Sequence, residues 1–303
     1  MTETTETTET TKTTETTAAE MPAAPASPAN GAPAPGAASS GHGLSAAGLL
    51  RSEWIKLRSV RSTAWSYALL VLVSLSLAAV MSSTLDLQGA DASMIPAADQ
   101  AIFIAQTATF GVFFGQLIVA VLGVLTITGE YSTGMIRSTL TAVPRRLPAL
   151  AAKAAVLFGA TFVVGLVANL GSYAVSSLVL SQQGLGVSIA DPAVFLPVLG
   201  GALYLALIAV FALGVGTIVR SGAGGIAVVL GIVLLLPMVL QLIASPWAAA
   251  VLPYLVSNAG INMFGLMSFS QVPIEWWVNL LVVLGWLAVS LVGAAAVLKR
   301  RDA

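Results

Sequence analysis

The side chains able to do chemistry are few in this chain of 303 residues, and their types exclude more than they offer. There is no cysteine, so neither a disulfide nor a thiolate site is open to it. The single histidine, His42, lies in a low-complexity tail. The four lysines are Lys12, Lys56, Lys153 and Lys299, and none stands in a G-x-x-x-x-G-K-[ST] loop, so the chain hydrolyses no nucleotide by that route. No Asp, Glu or His sits in the middle of an apolar block, where it would mark a proton or ion path. These absences argue against a proton-coupled carrier, a membrane protease and a redox protein. No catalytic, cofactor-binding or metal-ligating residue is assigned.

The one concentration of polar and charged residues between two long apolar blocks is residues 129–148, GEYSTGMIRSTLTAVPRRLP. Wound as a helix, Tyr131, Met135, Ile136, Leu140 and Val143 fall on one half, and Thr133, Arg137 and Thr141 on the other. Gly129 is expected to open the segment, and Pro144 to close it by removing a hydrogen bond. Arg145 and Arg146 follow. Tethered at both ends, such a helix lies on the bilayer surface or presses into a partner protein. Glu130 and Arg137 are its candidate charged contacts; the alternative is that both are solvated surface charge.

The elements that hold this segment are membrane spans. Hydrophobic residues make up 57% of the chain and charged residues 9%, against about a quarter charged in soluble domains. Mean hydropathy is +0.93. The apolar runs are about twenty residues or longer, so the expected fold is all-α and integral to the membrane rather than a barrel. Six spans are expected, over about 63–82, 101–128, 149–180, 195–219, 224–244 and 276–298. The second and third are overlong, and Lys153, near the start of the third, is expected to snorkel to the interface. Glycines in the third span (Gly159, Gly165, Gly171) and the fourth (Gly214, Gly216) favour close helix packing. Residues 247–266 are apolar but broken by Pro253, Asn258, Gly260 and Asn262. They are expected to form an outer loop of short helices able to dip back where protein covers the backbone.

Lys and Arg outside the tail fall in four places, 51–61, 137–153, 220 and 299–301, and six spans put all four on one side. The alternate loops hold Asp86, Asp91, Asp99, Asp191 and Glu275 and no Lys or Arg. By the positive-inside rule both termini are expected to be cytoplasmic. Residues 1–43 form a Thr/Glu then Ala/Pro-rich tail too polar to bury a core, expected to be disordered, and residues 44–303 the membrane domain.

Residues 44–61 are amphipathic. Ala47, Leu50, Trp54 and Leu57 share a stripe, flanked by Arg51, Lys56 and Arg58. The expectation is a helix in the interface, anchored by Trp54, with its basic side chains on anionic headgroups. Within the spans, Gln106, Gln116, Asn169 and Gln241 either line a substrate path or hydrogen-bond between helices.

Two of these stretches resemble the permease subunits of ABC-2 type transporters, notably the short six-helix form of actinomycetes. RSEWIKLRSVRSTAW, residues 51–65, is similar to the interfacial elbow helix before the first span, with Arg51, Trp54, Lys56, Leu57 and Arg58 in it. GEYSTGMIRSTLTAVPRR, residues 129–146, resembles the loop between spans two and three, with Glu130, Tyr131, Gly134, Arg137, Leu140, Pro144 and Arg146 in matching places and Arg145 beside them. Met135 stands where the family commonly has Thr. The resemblance covers about 44–301 and implies six helices per subunit in a dimer, expected to be of identical chains. It also implies that the second-to-third-span loop is a coupling helix in a groove of a separate ATP-binding subunit, where ATP and Mg would bind.

The function expected is therefore the membrane-spanning subunit of an ATP-driven exporter, not itself an enzyme. Spans without charge fit a hydrophobic or amphiphilic substrate: a drug, an antibiotic peptide or a lipid-like molecule, with resistance as one role. The alternative is a membrane assembly or regulatory protein that transports nothing. No nucleic acid is implied as a partner.

Overall fold

Hydrocarbon offers no water to backbone amides, so an apolar chain that enters it must satisfy them within the segment, as a helix does. The computed structural model describes residues 45–84, 95–134, 146–265 and 275–300, and among them regular structure is helical throughout. An amphipathic helix α1 (Ala46–Ser59) is followed, after an extended Val60, by α2 (Arg61–Thr84). Then come α3 (Ala97–Thr109), α4 (Gly111–Ser132), α5 (Arg146–Ser181) and α6 (Pro192–Val219). The chain continues through α7 (Gly222–Leu242), the short α8 (Pro246–Val251) and α9 (Val256–Asn262), and α10 (Trp276–Arg300).

Among the described residues, six stretches are long and apolar enough to cross a membrane: α2, α3 with α4, α5, α6, α7 and α10. The α3–α4 stretch, Ala97–Ser132, has 36 residues, about 54 Å of helix against about 30 Å of hydrocarbon, so its ends project or it tilts. In α6, 83% of the most apolar stretch is buried, against 17% in α2 and in α10. The fold is thus built around α6, with the other spans ringed about it. Asp191 starts α6 by accepting a hydrogen bond from the Ala193 amide at 2.8 Å, and Pro192 stands where no amide is needed.

Small residues let α4 and α6 approach closely. A β-carbon at Gly123 would run into the Ala209 carbonyl oxygen, so only glycine fits that crossing. Of the glycines expected to pack, Gly165, Gly171, Gly214 and Gly216 face neighbouring helices, but Gly159 faces open space. Span α7 contains a π-turn, Gly231–Leu235, just before Pro237. The ring of Pro237 leaves a backbone carbonyl without its usual partner, and a wider turn absorbs the mismatch.

The broken stretch after α7 forms α8 and α9 rather than a further span, and α9 packs inward. Val256, Ala259, Gly260 and Ile261 are buried. Gly260 lies against the ring of Tyr204, which is twelve residues, about 18 Å, along α6. The Tyr204 hydroxyl in turn donates to Gln116 Oε1 at 2.5 Å. Helix α9 is thereby covered by protein.

Candidate functional site

The last turn of α4 carries Glu130, and the side chain points inward rather than into solvent: it is only 7% exposed. Lys153, two turns into α5, donates to Glu130 Oε1 at 2.8 Å and to Glu53 Oε2 of α1 at 2.5 Å. Lys56, one turn after Glu53, reaches Glu53 Oε1 at 2.8 Å and Glu130 Oε1 at 3.3 Å. Each lysine therefore touches both carboxylates, and the four charges close a neutral ring joining α1, α4 and α5. Glu53 is 4% and Lys153 6% exposed. Buried charges are tolerated only when paired this completely. Burial alone would push the Glu53 carboxyl up, but Lys153 and Lys56 beside it outweigh that and hold it below its ordinary value. Burial alone would lower Lys56, and its contacts with Glu53 and Glu130 more than offset that, raising it. The ring lines a cavity of about 400 Å³ whose other walls include Leu57, Leu122 and Leu157.

Tyr131, the next residue, faces the other way. The guanidinium of Arg220 stands 5.4 Å from the centre of its ring, a cation–π contact. Arg220 ends α6 in the left-handed conformation, at φ 59°, with its amide bonded to the Gly216 carbonyl. Among the described residues, Arg220 Nε and Nη2 and the Tyr131 hydroxyl have no hydrogen-bond partner. Two consecutive side chains thus fasten the end of α4 to three other helices, α1 and α5 through Glu130 and α6 through Tyr131.

Several expectations change here. Gly129 does not open a new segment, because α4 runs through it to Ser132. The break falls at Gly134, whose φ of 70° suits glycine and whose amide bonds the Tyr131 carbonyl at 3.3 Å. Glu130 is neither solvated nor placed to touch a second protein, since Lys153 and Lys56 occupy its carboxylate. Lys153 does not snorkel; two carboxylates within reach hold it inside. Arg137, Leu140, Pro144 and Arg145 lie outside the described residues, and Arg146 begins α5.

On the elbow helix, Leu57 is buried while Trp54 is 49% exposed, so the expected stripe is split. Helix α1 is rotated to bring Glu53 beside Lys153, and this turns Trp54 and Leu50 outward. Arg51 and Arg58 are exposed and Lys56 is half-buried. The four polar span residues do not converge on a path. Gln116 bonds Tyr204, and Asn169 Nδ2 donates to the Val198 carbonyl at 3.0 Å, so both tie their helices to α6. Gln241 is exposed and Gln106 half-buried. Glu53, Lys153 and Arg220 carry the most weight among residues given no site role by the sequence. A carboxylate between the apolar positions Leu50 and Leu57 was the available signal for Glu53.

A family model described as ABC-2 family transporter protein matches residues 49–236. The match holds all four ring residues, Tyr131 and Arg220, and runs from α1 into α7. The chain belongs to the ABC-2 transporter family. No curated protein matches it in sequence. For an ABC-2 permease, six apolar helices preceded by an amphipathic one form a multi-pass membrane component of a transporter. The ring then sits beside the segment that the resemblance marks as the coupling loop.

Proposed function

We propose that this chain is the permease subunit of an ATP-driven exporter, and that residues 134–146 receive mechanical work from a separate ATP-binding subunit. ATP and Mg bind on that subunit, and two identical permease chains pair to form the pathway. The observation that carries the proposal is the fastening of Glu130 and Tyr131. A push on the connector at Gly134 meets a helix end tied by charge to α1 and α5 and by its ring to α6. The turn has nowhere to yield locally, so the displacement passes to four helices as a rigid body. Arg137, Arg145 and Arg146, with Leu140 and Pro144 shaping the segment, are the groups offered to the ATPase, while Glu130 and Tyr131 work from within. The basic residues at 51–61, 137–153, 220 and 299–301 support a cytoplasmic connector and cytoplasmic termini.

The cargo fits the same reasoning. Spans free of unpaired charge suit a hydrophobic or amphiphilic molecule, such as a drug, an antibiotic peptide or a lipid. Purification from mild detergent should bring down an ATP-binding subunit in comparable amount. Arg137→Glu should abolish export while leaving the chain in the membrane and ATP hydrolysis running. Unchanged export by that variant, or purification with no ATPase, would refute the proposal and favour a membrane assembly protein.

A further inference from the structure

Two apolar hollows lie end to end between α2 and α5, under the elbow helix. One, about 520 Å³, is lined by Trp54 and Arg58 of α1, Tyr67 of α2, and Gly159 and Val163 of α5. The second, about 550 Å³, shares Tyr67, Val163 and Val164 with the first and continues to Leu75 and Val167. Together they form one groove. From Thr63 to Leu75 it runs twelve residues of α2, about 18 Å, close to the roughly 15 Å depth of one leaflet. Its wall is left open at Gly159, where a β-carbon would meet nothing within 4 Å. Tyr67 presents a ring rather than a free hydroxyl, since its oxygen is hydrogen-bonded to Thr161 Oγ1 at 2.9 Å.

The mouth has a different chemistry. Trp54, half exposed, stands beside Arg58, which is exposed and has no ion-pair partner among the described residues. Arg51 and Arg61, before and after Arg58 in the chain, are also exposed. The one acid of α1, Glu53, is turned away into the charge ring. An apolar slot one leaflet deep, capped by an amphipathic indole and an exposed guanidinium, is complementary to an acyl chain under a phosphate.

We propose that this groove holds one anionic phospholipid of the leaflet in which the elbow helix lies, with an acyl chain along Tyr67, Gly159 and Val163 and its phosphate at Arg58. The proposal rests on the chain's being embedded in a bilayer and is independent of the coupling role, so either can fail alone. An occupied groove would brace α1 against α2 and α5 next to the charge ring, whose cavity shares Leu57, Thr63 and Val156 with it.

The test is native mass spectrometry of the full chain released from nanodiscs of equal phosphatidylglycerol and phosphatidylcholine. One retained phospholipid per chain is expected, phosphatidylglycerol being favoured about fivefold through the guanidinium. Gly159→Leu, which places a strong helix former into open space, should fold and lose most of that lipid. Val163→Trp should do the same from an exposed position. Arg58→Gln should keep a lipid but bring the two headgroups close to parity. Absence of a retained phospholipid in the wild type, its undiminished retention in both groove-filling variants, or retention without headgroup preference would overturn the proposal. So would a retained mass that is a second copy of the chain or a compound other than a phospholipid.

Discussion

Lys153 Nζ lies 2.8 Å from Glu130 Oε1, and both side chains are more than nine-tenths buried. The two residues flank the connector between the second and third spans, one just before it and one just after. Their pairing pins both ends of that connector at a fixed separation. Because Lys153 also holds Glu53, the elbow helix is pinned to the same point.

Removing the lysine tests this. Lys153→Met leaves two buried carboxylates sharing Lys56 alone and should destabilise the chain by about 3 kcal/mol. The triple change Glu53→Gln, Glu130→Gln, Lys153→Met should recover much of that loss, because the one charge left of the ring, Lys56, is only half-buried and can turn to solvent. Thermal unfolding in detergent reads both. A single lysine variant as stable as the wild type would show that the ring contributes nothing to the fold.

The ring also sets a pH window for docking of the elbow helix. Glu53 is held below its ordinary 4.5, so its contribution is present above that value and lost as pH falls through the lowered one. Lys56 is raised above 10.5, so its contribution is present below that value and lost as pH rises through the raised one. The contributions of Glu53 and Lys56 to docking should therefore be flat between pH 4.5 and 10.5, and weaken only as pH falls through the lowered value or rises through the raised one. The chain has no cysteine, so labels on Arg51→Cys and Ser132→Cys are unique and their separation can be followed. A midpoint near neutral pH would contradict the assignment.

How much of this could be read beforehand follows from where the information lies in the chain. Hydropathy is local, so the first span, expected over 63–82, is found as Arg61–Thr84, and the sixth, expected over 276–298, as Trp276–Arg300. The turn that ends α4 is also local, but Gly129 and Gly134 compete for it. Only the left-handed φ at Gly134 decides, and composition does not show it. The ring is not local at all. Lys153 is 100 residues from Glu53 and 23 from Glu130, and these partners meet only once α1, α4 and α5 have packed. Lys153 alone, near the edge of an apolar run, gives the same signal as a snorkelling lysine.

Arg220 yields a prediction about backbone strain. Its left-handed conformation suits glycine better than any residue with a side chain, by about 1 kcal/mol, while its cation–π contact with Tyr131 contributes about 0.5–2 kcal/mol. Arg220→Gly should therefore be about 1 kcal/mol more stable than Arg220→Ala, and Tyr131→Leu should lose the contact without relieving the strain. Equal stability of the two Arg220 variants would show that the turn is not strained.

The α4–α6 crossing should tolerate almost nothing at Gly123. Gly123→Leu would drive a side chain into the Ala209 carbonyl and should keep the chain from accumulating in membranes, whereas Gly285→Ala, in open space, should be neutral. Normal accumulation of the leucine variant would mean that the two helices are farther apart than described.

The central claim, that the connector after α4 meets an ATP-consuming partner, is tested most directly by a single cysteine. Arg137→Cys in this otherwise cysteine-free chain should be protected from a membrane-impermeant thiol reagent on intact cells. In opened membranes the same variant should cross-link to an ATP-binding subunit. Labelling of its thiol from outside intact cells, or cross-linking that never captures an ATPase, would contradict the account.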